Sequence, residues 1–301
     1  MSKSWMRLRD EPPLKAGEPY PLFNRVSIET VGRCTRECLF CPSRFRTKEQ
    51  QGEMSDEVFI TLMRQLMDLK FKGTIQLFYL GEPLLDKKLV TRIKFARRMC
   101  PKSKILIASN GDLLNKVEQV NDLFDAGLNV LNVDCYNHET YKKIEDLSFE
   151  CDGEIEVCYD SVHWTSKSHT SKHFIVADVS VPKEAWKSKC HTYLIPEIER
   201  ELAKTGSLPD KKQRYCAVPH RRLTVWWDGT IVLCCVVTPL MTSPVITGTY
   251  CDILAAWNSP IANKYRYWLQ NAQKRGVCKD CWYRGSYSHV MQRIEKPDGV
   301  E

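Results

Sequence analysis

The stretch GRCTRECLFCPSR, residues 32–44, brings three cysteines close together in the chain, Cys34, Cys38 and Cys41. The segment before it, RVSIET at 25–30, alternates and is β-branched, which predicts a strand that ends at this cysteine loop. Metal sites built from thiolates usually close with four ligands. Since no fourth cysteine lies nearby in the sequence, the spacing predicts a metal centre with one position that these cysteines leave open.

A pattern of strand, loop and helix repeats along the first half of the chain. The predicted strands cover 25–30, 74–80, 104–109 and 129–136, and the predicted helices cover 55–73, 88–100, 115–128 and 138–146. The first helix has a clear start and end, because Ser55 stands at its N-cap position and Gly73 follows its last apolar residue. This repeat predicts an α/β fold with a parallel sheet and right-handed crossovers.

Each polar segment of interest lies at or just past the end of a predicted strand. Besides the cysteine loop, these segments are LGEP (80–83), SNGD (109–112) and DCYN (134–137). The carboxyl ends of parallel strands meet at one rim, where the functional residues of such folds lie. We therefore expect the four segments to form one site.

The composition indicates a globular, cytoplasmic protein. Of the 301 residues, 43% are hydrophobic and 27% are charged, and no run approaches the ~18 apolar residues of a membrane span. The charged start MSKSWMRLRDEPPLK lacks the apolar core of a secretion signal. Disulfides are rare in a reducing compartment, so clustered cysteines among the 14 present are expected to be metal ligands.

A second group of cysteines follows in the last third of the chain. Its members are Cys216, Cys234, Cys278 and Cys281. The segment RLTVWWDGTIVLCC (222–235) predicts a hairpin with a type I′ turn at Asp228-Gly229, and a helix is predicted over 259–276. An all-thiolate tetrahedral site suits zinc and iron–sulfur clusters alike, so the residues alone leave the metal open.

The C-x3-C-x2-C spacing of Cys34, Cys38 and Cys41, with Phe40 before the last cysteine, resembles the radical S-adenosylmethionine (SAM) family. The resemblance implies that the three thiolates bind three irons of a [4Fe–4S] cluster and that SAM occupies the fourth iron. The open coordination position would then be the place where the cofactor binds, and zinc is the competing interpretation.

Two further segments are similar to motifs of the same family. LGEP resembles its GGEP motif, with Leu80 in place of the first glycine, which implies that Gly81 and Glu82 hold the SAM ammonium group. SNGD resembles the ribose-binding segment, which implies the same cofactor contact for Ser109 and Asn110. The resemblance also places Phe40 near the adenine.

The second cysteine group resembles the auxiliary-cluster domain of certain radical SAM enzymes, in the shorter "twitch" form of the SPASM domain. This implies a second [4Fe–4S] cluster bound by Cys216, Cys234, Cys278 and Cys281, with Cys235 as an alternative to Cys234. The implied fold is a partial (β/α)6 TIM-like barrel over 24–190 and a small hairpin and helix domain over 216–285. A lead-in (1–23), a linker (191–215) and a tail (286–301) complete the predicted division. The remaining cysteines are expected to be structural, namely Cys100, Cys135, Cys151, Cys158, Cys190 and Cys251.

The implied activity is reductive cleavage of SAM to a 5′-deoxyadenosyl radical that abstracts a substrate hydrogen. The similarity extends to the SAM-dependent alcohol dehydrogenases of aminoglycoside biosynthesis, which implies oxidation of a small polar substrate with the auxiliary cluster as electron acceptor. A reductant such as flavodoxin or ferredoxin would supply the electron. Asp134 and Cys135 end a predicted barrel strand, so either could face the substrate.

Other functions remain open at this point. A net charge of +7, the basic loop RFRTK (44–48) and the neighbouring Trp226 and Trp227 favour a nucleotide or nucleic-acid base as substrate. A peptide-modifying maturase is a third possibility, and a binding protein with two zinc modules is a fourth. The stretch 150–215 has a weak pattern and carries no recognisable motif.

Overall fold

A computed structural model describes most of the chain. The described residues are 19–38, 41–151, 154–158, 172–178, 216, 218–235, 237, 244–270, 273 and 275–279. The predicted lead-in, linker and tail therefore lie mostly or wholly outside the described residues, as do Phe40, Cys190 and Cys281.

Nine strands form one continuous sheet in the order β5-β6-β4-β3-β2-β1-β7-β8-β9. The strands are β1 Arg25–Ile28, β2 Thr74–Gln76, β3 Lys104–Ser109, β4 Val130–Cys135, β5 Ile155–Cys158, β6 Lys172–Asp178, β7 Arg222–Val225, β8 Thr230–Val232 and β9 Ile246–Thr249. Neighbours from β5 to β7 are parallel, whereas β8 and β9 are added antiparallel. The predicted α/β class and partial barrel are confirmed.

Helices alternate with the first strands as the periodicity predicts. The helices are α1 Asp56–Asp68, α2 Leu89–Met99, α3 Val117–Asp125, α4 His138–Phe149, α5 Val218–Arg221, α6 Ile253–Trp257 and α7 Pro260–Gln270. Ser55 caps α1 as predicted, since its Oγ accepts a hydrogen bond from Val58 N at 3.2 Å. The predicted end at Gly73 is wrong, because Lys70 adopts a φ of 49° and Phe71 N donates back to Leu66 O, which closes the helix earlier.

The two faces of the sheet have different environments. One face packs against the helices in the main hydrophobic core, which includes Ile105, Leu131 and Phe174. The alternate residues point to the opposite, inner face, where Leu106, Val130 and Ile175 form a small separate apolar group. Polar side chains of the same register line the rest of this inner face, namely Ser27, Gln76, Asn132, Asp134 and Thr224. A polar inner face is suited to a hydrophilic ligand.

The last third of the chain extends the sheet of the first half. Residues of β7 pair with β1, as in Val26 with Leu223, so strands from both predicted domains share one sheet. The hairpin of β7 and β8 forms as predicted, but its turn is not type I′. Gly229 has a φ of 87° and donates to Trp226 O at 2.9 Å, whereas Asp228 keeps a negative φ. This is a type I turn followed by a left-handed glycine.

The stretch with a weak sequence pattern contains two barrel strands, β5 and β6. β6, and not β5, pairs with β4, so β5 lies at the edge of the sheet. An edge strand leaves one row of backbone groups unpaired and often carries charged residues, which fits the weak apolar periodicity of β5. Within the described part of the chain, the helices are too short or too polar to cross a membrane.

Candidate metal and cofactor site

The three cysteines of the first group lie in the loop after β1, with free thiols. Burial is the main cause that raises the pKa of Cys38 to about 11 and that of Cys41 to about 12, and the charge of Cys34 contributes to both shifts. Three free thiols in one short loop fit a metal cluster, whose positive irons would stabilise the thiolates.

A buried ion pair fixes this loop to the end of β1. Arg46 and Glu29 have fully buried side chains with N···O at 3.0 Å, and Arg46 Nη1 donates to Gly32 O at 2.6 Å. Glu29 also accepts a hydrogen bond from Leu80 N at 3.2 Å. Burial raises the pKa of Glu29 although Arg46 opposes the shift. The pair therefore couples the cysteine loop to LGEP. The sequence gives no signal for this pair, because Arg46 stands in the basic loop RFRTK and its burial depends on how the loop folds.

Glu82 of LGEP lies at the point where the other segments meet. Its carboxylate accepts hydrogen bonds from Ser109 Oγ at 2.8 Å, Asn110 N at 2.9 Å and Leu84 N at 3.1 Å. Burial raises the pKa of this carboxyl, and these donors oppose the shift. LGEP and SNGD therefore form one structure, as the sequence predicts.

Gly81 allows the LGEP backbone to approach the cysteine loop. A Cβ atom at this position would overlap the carbonyl oxygen of Val31. The next residue, Glu82, also bonds to the cysteine loop, since its N donates to Arg33 O at 2.8 Å. Only a glycine permits this close approach, which gives a physical reason for its place in the motif.

Asn110 and Asp112 of SNGD contact the cysteine loop directly. Asn110 Nδ2 donates to Thr35 Oγ1 at 2.9 Å and lies 3.6 Å from Cys34 Sγ. Asp112 forms an ion pair with Arg36, whose Nε lies 2.7 Å from Asp112 Oδ2. The pair lowers the pKa of Asp112 although burial opposes the shift. The three segments are thus held together at one rim, while the cofactor contacts assigned to them remain predictions.

The residues of DCYN separate onto two faces of β4. Asp134 shares the inner face with Asn132, whose Nδ2 donates to Asp134 Oδ1 at 3.2 Å. Cys135 is fully buried in the core between sheet and helices. Its burial favours packing, as predicted for the structural cysteines, over contact with a substrate. Tyr136 follows at the rim, where the Arg36 guanidinium lies 5.6 Å from its ring centroid.

The inner face also carries a buried acceptor. Asn132 is 1% exposed, and its Oδ1 has no hydrogen-bond partner among the described residues. A buried amide oxygen without a donor is costly. Asn132 Oδ1 is therefore suited to accept a hydrogen bond from a ligand inside the barrel.

Two cysteines of the second group, Cys234 and Cys278, lie at a smaller core between β7, β8 and α7. Cys234 is buried there and Cys278 packs against the same residues. Burial raises the pKa of the Tyr265 hydroxyl, and the charges of Cys278 and Cys234 raise it further, so both sulfur atoms lie near this group. Cys235 is partly exposed and packs against the same core, so the choice between Cys234 and Cys235 as ligand stays a prediction. Cys216 precedes α5 and is partly exposed, and Cys281 lies outside the described residues.

Arg46 and Trp226, two of the residues proposed for nucleic-acid binding, are buried, whereas Lys48 of the basic loop is exposed. Arg46 is buried in its ion pair. Trp226 is only 7% exposed, and Trp227 Nε1 donates to Gln50 O at 3.1 Å while its ring covers Gly32 and Gly52. The expectation that these tryptophans stack on bases is wrong, because their rings pack within the protein.

Known families match both parts of the chain. The family described as the Radical SAM superfamily matches residues 28–146. The SPASM family, described as an iron–sulfur cluster-binding domain, matches residues 216–282. The two matches contain both predicted cysteine groups and all the rim segments.

Individual relatives agree with these families. The S-adenosyl-L-methionine-dependent 2-deoxy-scyllo-inosamine dehydrogenase of Niallia circulans is 35% identical over 95 residues, which are 32% of this chain and only 38% of that protein. The crystal structure of BtrN in complex with AdoMet and 2-DOIA aligns with 91% of this chain and 98% of its own, at a TM-score of 0.64 and 20% identity. Native anSMEcpe with bound AdoMet and Cp18Cys peptide aligns at a TM-score of 0.50 and 12% identity, over 86% of each chain. At these identities the structural likeness shows a common fold.

Proposed function

Because the chain belongs to the radical SAM superfamily and carries a SPASM iron–sulfur cluster-binding domain, we propose that it is a SAM-dependent dehydrogenase. It oxidises a carbinol of a small polar substrate to a ketone. The observation that carries this proposal is the junction at Glu82, where a buried carboxylate joins LGEP to SNGD beside the cysteine loop.

The residues at the rim fit the cofactors that the family uses. Cys34, Cys38 and Cys41 would hold one [4Fe–4S] cluster, since they lie in one loop at the rim and lack disulfide partners. SAM would be held by the Glu82 carboxylate through its ammonium group and by further residues of the rim. These further residues are Phe40, Gly81, Ser109 and Asn110. Cys216, Cys234, Cys278 and Cys281 would hold a second [4Fe–4S] cluster.

When bound, these groups supply a radical that takes a hydrogen atom from the carbinol carbon and an acceptor for one electron. Oxidation of a carbinol then leaves one proton to be removed from the hydroxyl, and the protein must accept it. We propose Asp134 for this task, a choice supported by its position on the inner face beside the rim and by the hydrogen bond that it accepts from Asn132. A flavodoxin or ferredoxin would supply the electron that starts the reaction.

The substrate class follows from the inner face. Asn132 Oδ1 and the Asp134 carboxylate are acceptors two residues apart on one strand, so they share a face. Acceptors in this arrangement bind compounds with several hydroxyl or amino donors. An aminocyclitol such as 2-deoxy-scyllo-inosamine, named for a relative, is therefore the first substrate to test.

The test uses substrates deuterated at the carbinol carbon, incubated anaerobically with reduced protein and SAM. We expect deuterium to appear in 5′-deoxyadenosine together with an equal amount of ketone. Transfer of deuterium only from a labelled nucleotide or peptide, and from no labelled carbinol, would overturn the dehydrogenase proposal.

A further inference from the structure

The core that contains Cys234, and against which Cys278 packs, has buried hydrogen-bond donors without an acceptor among the described residues. We define it as the auxiliary core, formed by Trp226, Val232, Leu233, Cys234, Val237, Val245, Ala262 and Tyr265. Trp226 is 93% buried, being 7% exposed. Its Nε1–H group has no hydrogen-bond partner among the residues that the structure describes. An indole N–H group of this kind usually finds a partner when buried.

The position of Trp226 indicates which acceptor it would use. Trp226 and Thr224 lie on the same face of β7, and Val232 and Cys234 face them from β8 and its end. The auxiliary core is otherwise formed almost entirely by apolar side chains. Among the acceptors that pack there are the sulfur of Cys234 and the sulfur of the adjoining Cys278, together with any sulfide that these two cysteines bind.

Tyr265 of α7 supplies a second donor to the same place. Its hydroxyl oxygen accepts a hydrogen bond from Val277 N at 3.4 Å, which leaves the hydroxyl proton free to be donated. A Cβ atom on Gly276 would overlap this hydroxyl, so the turn that precedes Cys278 packs tightly against it. The hydroxyl is thus held against the turn of Cys278, in the same core as Cys234.

Positive charge surrounds the same region. The Nζ of Lys264 lies 5.1 Å from the Trp268 ring centroid, and the Arg275 guanidinium lies 5.4 Å from it. Arg275 O also accepts a hydrogen bond from Cys278 N. A cluster with four thiolate ligands is anionic, and its charge becomes more negative on reduction. Donors and cations therefore both stabilise the reduced form.

We propose that Trp226 Nε1–H and Tyr265 Oη–H donate hydrogen bonds to the sulfur atoms of the auxiliary cluster and thereby raise its reduction potential. The two residues are positioning and tuning residues and do not touch the substrate. This inference rests on the proposed function, because it requires that Cys234 and Cys278 bind a cluster. Its consequence is that the protein itself makes this cluster a better electron acceptor.

The test isolates the auxiliary cluster by replacing the other three ligands, Cys34→Ala, Cys38→Ala and Cys41→Ala. In this background, Tyr265→Phe removes the hydroxyl with little change of shape, and Trp226→Phe removes the indole donor. Tyr267→Phe is the matched control, because residues two apart on α7 do not share a face. The midpoint potential is measured by redox titration followed by electron paramagnetic resonance (EPR).

We expect each donor variant to shift the equilibrium about tenfold toward the oxidised cluster, which is about 59 mV for a one-electron couple. Tyr267→Phe should leave the potential unchanged. In protein exchanged into D2O, the reduced cluster should also show a coupling to an exchangeable deuteron that is lost in Tyr265→Phe.

The outcomes separate this inference from the function on which it rests. An intact cluster whose potential and deuteron coupling are unchanged in Tyr265→Phe would overturn the inference and leave the function standing. Absence of any cluster from the triple-alanine protein would overturn the proposed function instead. Should Trp226→Phe fail to assemble a cluster, Tyr265→Phe decides the question alone.

Discussion

At the scale of single residues, Glu82 is the central residue of the candidate site. Its carboxylate is 3% exposed and bonds to Ser109 and Asn110. Glu82→Gln keeps the shape but removes the charge, and hydrogen bonds to charged groups contribute about 1.5–3 kcal/mol. We expect SAM to bind at least about tenfold more weakly, as measured by equilibrium dialysis under anaerobic conditions.

The control for this change is Glu118→Gln, at an exposed position in the first turn of α3. It should bind SAM as the wild type does. Equal SAM affinity in the Glu82 variant and in wild type would contradict the assignment of this carboxylate to the ammonium group.

Asp134 is the second residue with a distinct expected phenotype. If it accepts the hydroxyl proton, Asp134→Asn should lower ketone formation by about 10²-fold or more, while SAM cleavage continues. Asp146→Asn, on an exposed position of α4, is the control. Both products are measured by chromatography, and a parallel loss of SAM cleavage in Asp134→Asn would argue against a role limited to proton transfer.

The residues that could be predicted from the sequence are those whose chemistry is local. The cysteine spacing and the LGEP and SNGD segments each indicate a function from only a few neighbouring residues. The ion pair of Glu29 and Arg46 could not be predicted, because its burial depends on how a loop folds back onto β1. The buried donor of Trp226 was missed for the same reason, since its surroundings come from β8 and α7.

At the scale of elements, the hairpin of β7 and β8 depends on its turn. Gly229 has a φ of 87°, a conformation that costs an L-residue roughly 1–2 kcal/mol. Gly229→Ala should lower the free energy of unfolding by at least that amount, because a Cβ atom there would also overlap the Tyr250 ring, and urea denaturation measures the loss. Gly229→Asn should cost less because asparagine tolerates this conformation, and equal losses in both variants would show that backbone strain is not the cause.

Lys104 provides a test at the amino end of β3. Burial lowers its pKa to about 8, with a smaller contribution from Arg25. Between about pH 8 and 10.5 the unfolded chain keeps a proton that the folded protein has released, so the free energy of unfolding should rise with pH across this window. Urea denaturation of Lys104→Met should show a smaller rise. Exposed Lys102→Met is the control, and a rise unchanged in both would contradict the buried position of the Lys104 ammonium.

The elements with strong periodicity were predicted well and the others were not. α1 to α4 and the first four strands follow from apolar spacing. β5 and β6 could not be located, because one is an edge strand and the segment between them has a polar composition. The turn at Asp228-Gly229 shows that a dipeptide predicts a reversal of the chain more reliably than the turn type.

At the scale of the whole molecule, one sheet joins the two predicted metal centres. β1 leads into the first cysteine loop and pairs with β7, which leads into the hairpin that ends at Cys234. This pairing joins residues far apart in the chain, as in Arg25 with Arg222. It cannot be predicted from a local sequence pattern. The first cysteine loop and Cys234 therefore follow strands of the same sheet.

The metal content follows from this arrangement. Anaerobically purified protein should contain about eight irons with matching sulfide, the sum of two [4Fe–4S] clusters. Replacement of Cys34, Cys38 and Cys41 by alanine should leave about four irons and abolish SAM cleavage. Zinc without sulfide, or cleavage that survives in the triple variant, would contradict the assignment of the two centres.

The central claim is that the cysteine loop leaves one iron open for SAM. The most direct measurement is the EPR spectrum of reduced protein that carries Cys234→Ala and Cys278→Ala and so retains only the first cluster. Addition of SAM should change the g-values of this spectrum, because the cofactor binds the iron itself. A spectrum that stays the same at saturating SAM would contradict the claim.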